Sequence, residues 1–216
     1  MQLVAENLVL ERGGRKVAND LSFRLDAGTA LLLTGPNGSG KSTLLRALAG
    51  YLRPASGSVR LLENSPKGEI GELSEVAEVC HFVGHLDGIK SHLTAAENLS
   101  FWATYLGGQE HVAARVEAAL RAFALDALAD IPAGYLSAGQ KRRLALTRLA
   151  VAERPLWLLD EPTVSLDSAS VEVLVAAINA HLKAGGMAVI ATHVPMALAP
   201  MQQIRLGRAA TVEVQP

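Results

Sequence analysis

One stretch near the amino terminus constrains this chain more than any other, the run TALLLTGPNGSGKSTLLRALAG over residues 29–50. It contains the pattern G-x-x-x-x-G-K-S from Gly35 to Ser42. A strand-like apolar run precedes the pattern and a helix-like run follows it, which is the context of a phosphate-binding loop. Glycines at positions 38 and 40 let the backbone and the helix amino terminus approach an anion. The stretch therefore predicts a nucleotide-phosphate site at a strand-to-helix junction.

The residues of this loop have separate expected roles. Lys41 is expected to reach the β- and γ-phosphates and to take part in catalysis, and Ser42 is expected to place its hydroxyl on Mg²⁺. The other predicted nucleotide contacts of the loop are Gly35, Pro36, Asn37, Gly38, Ser39, Gly40 and Thr43. The alternative is a glycine-rich turn before a helix, and the complete pattern in its proper context speaks against it.

Strand-like and helix-like runs alternate along the chain. Strand-like runs lie at 3–10, 29–35, 58–62, 78–84, 156–160 and 187–192, and helix-like runs lie at 41–50, 95–106, 111–125, 138–152 and 169–185. The runs LLLTG, LWLLD and MAVIAT are almost entirely apolar, which is typical of strands covered on both faces. This alternation predicts an α/β fold with a mostly parallel central sheet. The region 86–152 is rich in helix signals, which predicts a helical subdomain inserted into a core made of 1–85 and 153–216.

A second chemical motif, LLDEP, follows the apolar run at 156–160. It delivers Asp160 to the end of a predicted strand, where a carboxylate can help to bind Mg²⁺. Glu161 comes next, and a second acid at that point suits a general base that activates water. The alternative for both acids is a capping role in the turn that Pro162 favours.

Composition limits the possible partners and compartments. The formal net charge is −1, so an electrostatic attraction to nucleic acid is not indicated. The short basic run at 141–143 is interpreted as the solvated face of a helix. Cys80 is the only cysteine, which excludes an internal disulfide, and it is read as a small apolar strand residue. No signal peptide and no apolar run long enough for a membrane helix are visible, so membrane attachment is expected to come through a partner.

The run YLSAGQKRRLAL at 135–146 narrows the class of nucleotide protein. From residue chemistry alone, Ser137 is a helix cap and Gly139 allows a close backbone approach. LSAGQ resembles the LSGGQ signature of ATP-binding-cassette ATPases, with Ala138 in place of the first glycine. The same family order continues with LLDEP, TVSLD at 163–167 and a late histidine, His193. The resemblance covers nearly the whole chain, and it implies a P-loop NTPase core with an antiparallel amino-terminal β region and a helical signature subdomain within one ATP-binding domain, 1–216.

This resemblance implies an arrangement that the residues alone do not give. Two copies would pack head to tail, with ATP between Lys41 of one copy and the signature of the other. Ser137, Gly139 and Gln140 would contact the γ-phosphate across the interface. Asp167 would lie in the loop that links the two sites, and His193 would contact the γ-phosphate and help to position the attacking water.

Two positions depart from the family pattern. His85 stands where these ATPases usually carry a glutamine that touches Mg²⁺ and couples the nucleotide to a membrane subunit. Unlike glutamine, a histidine titrates near neutral pH. Arg12 lies near the position of the aromatic residue on which adenine usually stacks, and a guanidinium can also stack on a base. Both residues are therefore predicted nucleotide contacts, and weak discrimination between ATP and GTP is expected.

The segment GHLDGIKSHLTAAENLSFW resembles the pattern of the ATP-binding subunits of cytochrome c maturation exporters, also called haem exporters. The resemblance implies an ATPase subunit at the cytoplasmic face of a bacterial inner membrane, bound to a permease through the loop at 85–90. Either haem export or the release of a haem-loaded chaperone would use the ATP. Three alternatives remain: an exporter ATPase for another substrate, a non-transport cassette protein acting on nucleic acid or ribosomes, and a P-loop GTPase or kinase. The chain has no Asn-Lys pair of the kind that a GTPase base-reading motif requires.

Overall fold

A computed structural model of the chain describes residues 1–64, 70–73, 76–207 and 211–213. Packing divides the chain into two units. The first consists of Met1–Gly84, Pro155–Glu161 and Ile178–Pro216, and the second of His85–Arg154 and Pro162–Ala177. The helical subdomain predicted over 86–152 falls inside the second unit, which also takes in 162–177. The assignment of 1–216 to one ATP-binding domain stays a prediction.

The first unit contains an antiparallel sheet near the amino terminus, in the order β2-β1-β4-β5. Its strands are β1 (Gln2–Arg12), β2 (Arg15–Asp26), β4 (Ser56–Asn64) and β5 (Ile70–Leu73). β1 alternates between buried and more exposed positions over residues 7–11, as a strand with one face on the core does. The antiparallel amino-terminal β region is confirmed.

The second sheet of this unit has the order β10-β9-β3-β8-β7-β6. Its strands are β3 (Ala30–Thr34), β6 (Cys80–Val83), β7 (Leu156–Asp160), β8 (Met187–Ala191), β9 (Met201–Arg205) and β10 (Thr211–Glu213). All pairings are parallel except that of β9 with β10. Every residue of β7 and β8 is buried, so the prediction of a parallel sheet covered on both faces is confirmed.

Helix α1 (Lys41–Leu48) follows the phosphate loop and packs on the core shared by the two sheets of this unit. Leu44 and Leu45 are fully buried there, together with Leu31 and Leu33 of β3 and Leu158 of β7. Burying each of these leucines contributes about 1.5–3 kcal/mol. The packing fixes where α1 begins, and therefore where its amino-terminal N–H groups point.

The second unit is helical. It contains α3 (Ala95–Gly107), α4 (Val112–Ala122) and α5 (Ala138–Thr147), with 3₁₀ turns at Asp126–Leu128, Ala133–Tyr135 and Arg148–Ala150. Thr94 caps the beginning of α3 and Ser137 caps the beginning of α5, each with a capping box. In each box the cap hydroxyl accepts from the backbone N–H of the third helical residue, and the side chain of that residue accepts from the backbone N–H of the cap. A further helix, α6 (Ser168–Lys183), divides between the two units at residue 177.

Two details differ from the sequence prediction. The strand predicted at 78–84 begins only at Cys80, because residues 76–79 form a short helix, α2 (Val76–Val79). Cys80 pairs with Leu156, the first residue of β7, so earlier residues have no strand residue of β7 beside them. The strands β2, β5, β9 and β10 were not among the predicted strand-like runs. β5, β9 and β10 are short, and β9 reads MQQIR, which lacks the apolar pattern of the other parallel strands.

Candidate functional site

The predicted phosphate loop connects β3 to α1 in a conformation that depends on glycine. Gly35 has φ 128°, and a Cβ there would lie 2.2 Å from the carbonyl oxygen of Leu206. Gly40, which caps α1, has φ 104°, and a Cβ there would lie 3.0 Å from the Cβ of Val17. Other residues are strained or crowded at both positions. The first turn of α1 therefore opens toward the loop with N–H groups that have no partner within the helix.

Lys41 is buried at the start of α1, and its ammonium group lies within the loop. Nζ donates to the carbonyl oxygens of Gly35 at 2.9 Å and Pro36 at 3.4 Å, and it lies 3.1 Å from Nε2 of His193. Burying a charged group is costly unless hydrogen bonds compensate it, and these acceptors do so. The arrangement holds a fixed positive charge beside the loop backbone.

Ser42 and Asp160 meet although 118 residues separate them in the chain. The Ser42 hydroxyl donates to Oδ1 of Asp160 at 3.0 Å, and Asp160 is 4% exposed. A hydroxyl oxygen and a carboxylate oxygen at this separation are the hard oxygen donors that Mg²⁺ prefers. The two residues predicted as magnesium ligands are thus adjacent and chemically suited to that ion.

Glu161 follows β7 in a left-handed conformation, with φ 47°. Its N–H donates to the carbonyl oxygen of Ala191 at 2.8 Å, and its Oε1 lies 3.3 Å from Nε2 of His193. A non-glycine residue in this conformation is strained, and such strain concentrates at functional sites. The backbone bond to β8 and the turn after β7 together aim the carboxylate at His193.

Nε2 of His193 is shared among three groups. Besides Lys41 and Glu161, it lies 3.1 Å from Oδ1 of Asn37. Only a nitrogen without a proton can accept from the Lys41 ammonium, and only a protonated nitrogen can donate to Glu161 or Asn37. The ring therefore takes one of two partner sets, and its tautomer decides which.

These groups converge because of the strand order. β3, β8 and β7 are neighbours and parallel, so their carboxyl ends lie along one edge of the sheet. The phosphate loop follows β3, His193 follows β8, and Asp160 and Glu161 stand at the end of β7. The sequence separates these three segments, and the sheet brings them together.

A cleft of about 380 Å³ opens beside the phosphate loop. Lys41, Ser42 and Glu161 line it together with Arg12, Arg15 and Val17 of the first hairpin. The predicted contact Arg12 is thus at the cleft. Arg15 and Val17 were missed by sequence reasoning, although the Gly13-Gly14 turn predicts a two-residue hairpin that sets Arg15 opposite Arg12.

The signature residues lie in the second unit at the amino terminus of α5. Ser137 is exposed, and its Oγ accepts from the N–H of Gln140 at 3.2 Å, while Oε1 of Gln140 accepts from the N–H of Ser137 at 2.8 Å. A Cβ on Gly139 would lie 2.8 Å from the carbonyl oxygen of Ser165, so only glycine fits there. The predicted close approach at Gly139 is thus a contact with the TVSLD segment.

Asp167, at the end of that segment, caps α6. Its Oδ1 accepts from the N–H of Ser170 at 2.8 Å. Hydrogen bonds from the Ser170 side chain and backbone, with the nearby charge of Arg143, lower the pKa of Asp167 below its ordinary value. The carboxylate therefore stays charged at the beginning of the helix.

His85 also lies in the second unit, exposed, two residues after β6 ends. The loop that it begins is held at two points. Asp87 pairs with Arg142 of α5 at 3.0 Å, with the Arg142 side chain only 5% exposed. Asn98 of α3 accepts from the N–H of Lys90 at 2.8 Å and donates to its carbonyl oxygen at 3.0 Å. The loop is thus tied to the signature helix and to α3.

Comparison with known proteins identifies the family. The family model described as "ABC transporter" matches residues 18–164, which include the phosphate loop, the signature and the LLDEP motif. The chain belongs to the ABC transporter family. It is 46% identical to a cytochrome c biogenesis ATP-binding export protein CcmA of Rhizobium johnstonii, over 99% of this chain and 98% of that one. It is 48% identical to the protein of that name from Chelativorans sp., over 96% and 98%.

Solved structures agree with this ABC transporter fold. The chain matches one described as the ATP binding subunit of an ABC transporter, with TM-score 0.81 and 22% identity, over 98% of this chain and 90% of that one. It matches a putative ABC transporter ATP-binding protein from Pyrococcus furiosus with TM-score 0.82 and 22% identity, over 98% and 100%. At such identities the likeness shows the fold alone, and it confirms the predicted ABC ATPase architecture.

Family membership confirms the prediction of an ATP-binding ABC ATPase and decides against a P-loop GTPase or kinase.

In residues 1–64, 70–73, 76–207 and 211–213, every helix falls short of the length and apolarity that crossing a bilayer requires. The structure brings Lys41, Ser42, Asp160, Glu161 and His193 together within the first unit. The predicted contacts His85, Ser137, Gly139 and Gln140 belong to the second unit.

Proposed function

We propose that this chain hydrolyses Mg-ATP as the ATPase subunit of a membrane exporter in c-type cytochrome biogenesis. The observation that carries the proposal is the convergence of Lys41, the Ser42–Asp160 pair, Glu161 and His193 at the carboxyl ends of β3, β7 and β8. The names of relatives that share 46% and 48% of their residues with it, nearly end to end, supply the biological process.

The phosphate loop binds the nucleotide. Lys41 binds the β- and γ-phosphates, and the N–H groups at the start of α1 point toward them. The remaining loop contacts are Gly35, Pro36, Asn37, Gly38, Ser39, Gly40 and Thr43. Ser42 and Asp160 hold Mg²⁺, which when bound neutralises charge on the phosphate oxygens. Their oxygen atoms, 3.0 Å apart, supply the ligand chemistry that this ion needs.

Glu161 acts as the general base. Its carboxylate takes a proton from water as the water oxygen attacks the γ-phosphorus and the bond to the β-phosphate oxygen breaks. A positioned base of this kind contributes about 10²–10⁴-fold to the rate. His193, 3.3 Å from Glu161, orients the carboxylate and contacts the γ-phosphate. Lys41 stabilises the charge that develops on the transferred group.

The complete site requires a second copy of the chain in a head-to-tail dimer. Ser137, Gly139 and Gln140 of one copy contact the γ-phosphate held by the other, and Asp167 lies between the two sites. The exposure of Ser137 at the amino terminus of α5 supports this role, because the helix dipole and the cap hydroxyl favour an anion there. ATP closes the dimer, and hydrolysis opens it.

The loop from His85 to Lys90 transmits this motion to an integral-membrane permease. The Asp87–Arg142 ion pair supports the proposal, because it links the loop directly to the helix that begins with the signature. His85 contributes hydrogen bonds where the family usually has glutamine. The chain is thus held at the cytoplasmic face of the inner membrane through its permease, and it binds no nucleic acid. The work performed is haem export or release of a haem-loaded chaperone.

The test is affinity purification of tagged Glu161→Gln protein from detergent-solubilised membranes in Mg-ATP, followed by identification of the bound proteins. We expect a membrane subunit of the cytochrome c maturation system. If a permease of another exporter is recovered instead, the ATPase mechanism still stands, but the exported substrate must be a different one. Recovery of the tagged chain alone would contradict the coupling role of the loop.

Two variants serve as matched controls in this purification. Lys41→Ala, which should not close the dimer, separates ATP-dependent capture from constitutive binding. Asp87→Asn removes the charge that anchors the loop and leaves the phosphate loop intact, so it should reduce permease recovery while ATP binding is retained.

A further inference from the structure

The first hairpin places two arginines directly opposite each other. Arg12 ends β1 and Arg15 begins β2, and the two are register partners across the Gly13-Gly14 turn. Directly opposed residues of an antiparallel pair project from the same face and lie close together. The tip of the hairpin therefore presents two guanidinium groups on one face.

This end of the hairpin lies beside the phosphate loop. Val17, two residues after Arg15 on β2, lines the same cleft as Arg15 does. Val17 packs against the loop, since its Cβ lies 3.0 Å from the point that a Cβ on Gly40 would occupy. Both arginines line the 380 Å³ cleft together with Lys41. The three cations thus surround one space.

Two like charges placed opposite each other on a hairpin destabilise it. In the described part of the chain, neither Arg12 nor Arg15 forms a salt bridge. Among the described residues that line the cleft, Glu161 is the one acid, and it lies beside His193. An anion in the cleft would therefore relieve a repulsion that the protein leaves uncompensated, whereas an uncharged ring would leave most of it in place.

We propose that Arg12 and Arg15 form a paired guanidinium clamp for the phosphate chain of the nucleotide. The clamp replaces the interpretation of Arg12 as a stacking platform for the base. Guanidinium groups bind phosphate oxygens in bidentate geometry, and two of them that line one cleft with Lys41 would surround a polyphosphate bound there. This inference rests on the proposed nucleotide site. It implies that the cleft selects its ligand by the charge of the phosphate chain.

The test compares binding of ATP, GTP and inorganic tripolyphosphate, each with Mg²⁺, to the full chain and to Arg12→Gln, Arg15→Gln and the double variant. We expect each single substitution to lower the affinity for all three ligands about five- to tenfold, because each removes a charge-assisted contact to phosphate. The double change should weaken them further and reduce the salt dependence of binding.

Lys16→Gln is the matched control, because Lys16 lies between Arg15 and Val17 on the other face of the strand, opposite Glu11. It removes the same charge one residue away and should leave all three affinities unchanged. Arg15→Lys, which keeps the charge without the fork, should fall between the full chain and Arg15→Gln. Without ligand, the glutamine variants should unfold at no lower temperature than the parent chain, since they remove a repulsion.

Two outcomes would overturn the clamp. If the variants bind ATP and GTP more weakly but bind tripolyphosphate as before, the two arginines contact the base. If binding of all three ligands is unchanged, the two arginines do not contact the ligand. Failure of the proposed function gives a different result, namely arginine-dependent tripolyphosphate binding in a chain that does not hydrolyse ATP.

Discussion

The ammonium group of Lys41 lies 3.1 Å from Nε2 of His193, although 152 residues separate the two in sequence. The same Nε2 lies 3.3 Å from the carboxylate of Glu161. His193 thus stands between the cation of the phosphate loop and the acid after β7. Because Nε2 serves either Lys41 or Glu161 at one time, occupation of the loop by a γ-phosphate would release His193 from Lys41 and leave it to orient Glu161.

Replacing Lys41 with alanine should weaken ATP binding about 10- to 100-fold, because a charge-assisted contact to phosphate is lost. Titration calorimetry with Mg-ATP measures the change. Lys183→Ala, which removes an exposed lysine at the end of α6, is the control and should bind normally. Normal affinity in Lys41→Ala would refute the assignment of the phosphate loop.

Replacing Glu161 with glutamine should reduce hydrolysis by about 10²–10⁴-fold, since the amide cannot take the proton from water. ATP binding should persist, and the protein should accumulate as an ATP-bound dimer on size-exclusion chromatography. Glu172→Gln, an exposed position on α6, controls for loss of an acid elsewhere. Hydrolysis at the parent rate in Glu161→Gln would remove this residue from the mechanism.

Two capping boxes allow the structural and functional roles of Ser137 to be separated. Ser137→Ala and Thr94→Ala each remove one cap hydroxyl, so each should lower the free energy of unfolding by about 1 kcal/mol. Only Ser137→Ala should also lower ATP turnover, because its hydroxyl is proposed to reach a nucleotide on a second copy. Urea unfolding and steady-state ATPase assays measure the two effects, and equal turnover in both variants would leave Ser137 as a cap alone.

Acid should destabilise the first unit through His181. This side chain stacks on Trp157, with ring centroids 4.0 Å apart, and lies 3.2 Å from the carbonyl oxygen of Met187. Burial lowers its pKa below the ordinary value of 6.5. The unfolded chain therefore binds the proton more readily than the folded chain. The resulting stability is present above pH 6.5 and is lost as pH falls through the pKa of the folded state.

This prediction is checked by urea unfolding at pH 7.5 and 5.5. His181→Gln, which keeps a donor near Met187, should lose less stability on acidification than the parent chain. His111→Gln changes an exposed histidine before α4 and should follow the parent chain. The same loss in His181→Gln and the parent chain would show that this residue does not carry the pH dependence.

The sequence predicted strands best where burial makes their pattern strong. The apolar runs of β3, β7 and β8 were recognised, since strands covered on both faces leave an unmistakable composition. β9 was missed because its sequence MQQIR is mostly polar, and it belongs to the sheet through its pairing with β3. The start of β6 at Cys80 was also missed, because it depends on where β7 begins.

The sequence by itself determined the chemical groups of this protein. The phosphate loop, the LLDEP acids and the signature are contiguous motifs whose glycines and caps act over a few residues, so local physics is enough to read them. Only the tertiary structure decided which of these groups meet. The strand order β3-β8-β7 joins Lys41, His193 and Glu161, and the hairpin register opposes Arg12 to Arg15. Strand order and register result from burying the apolar faces of distant segments together. They therefore cannot be predicted from any short stretch of sequence.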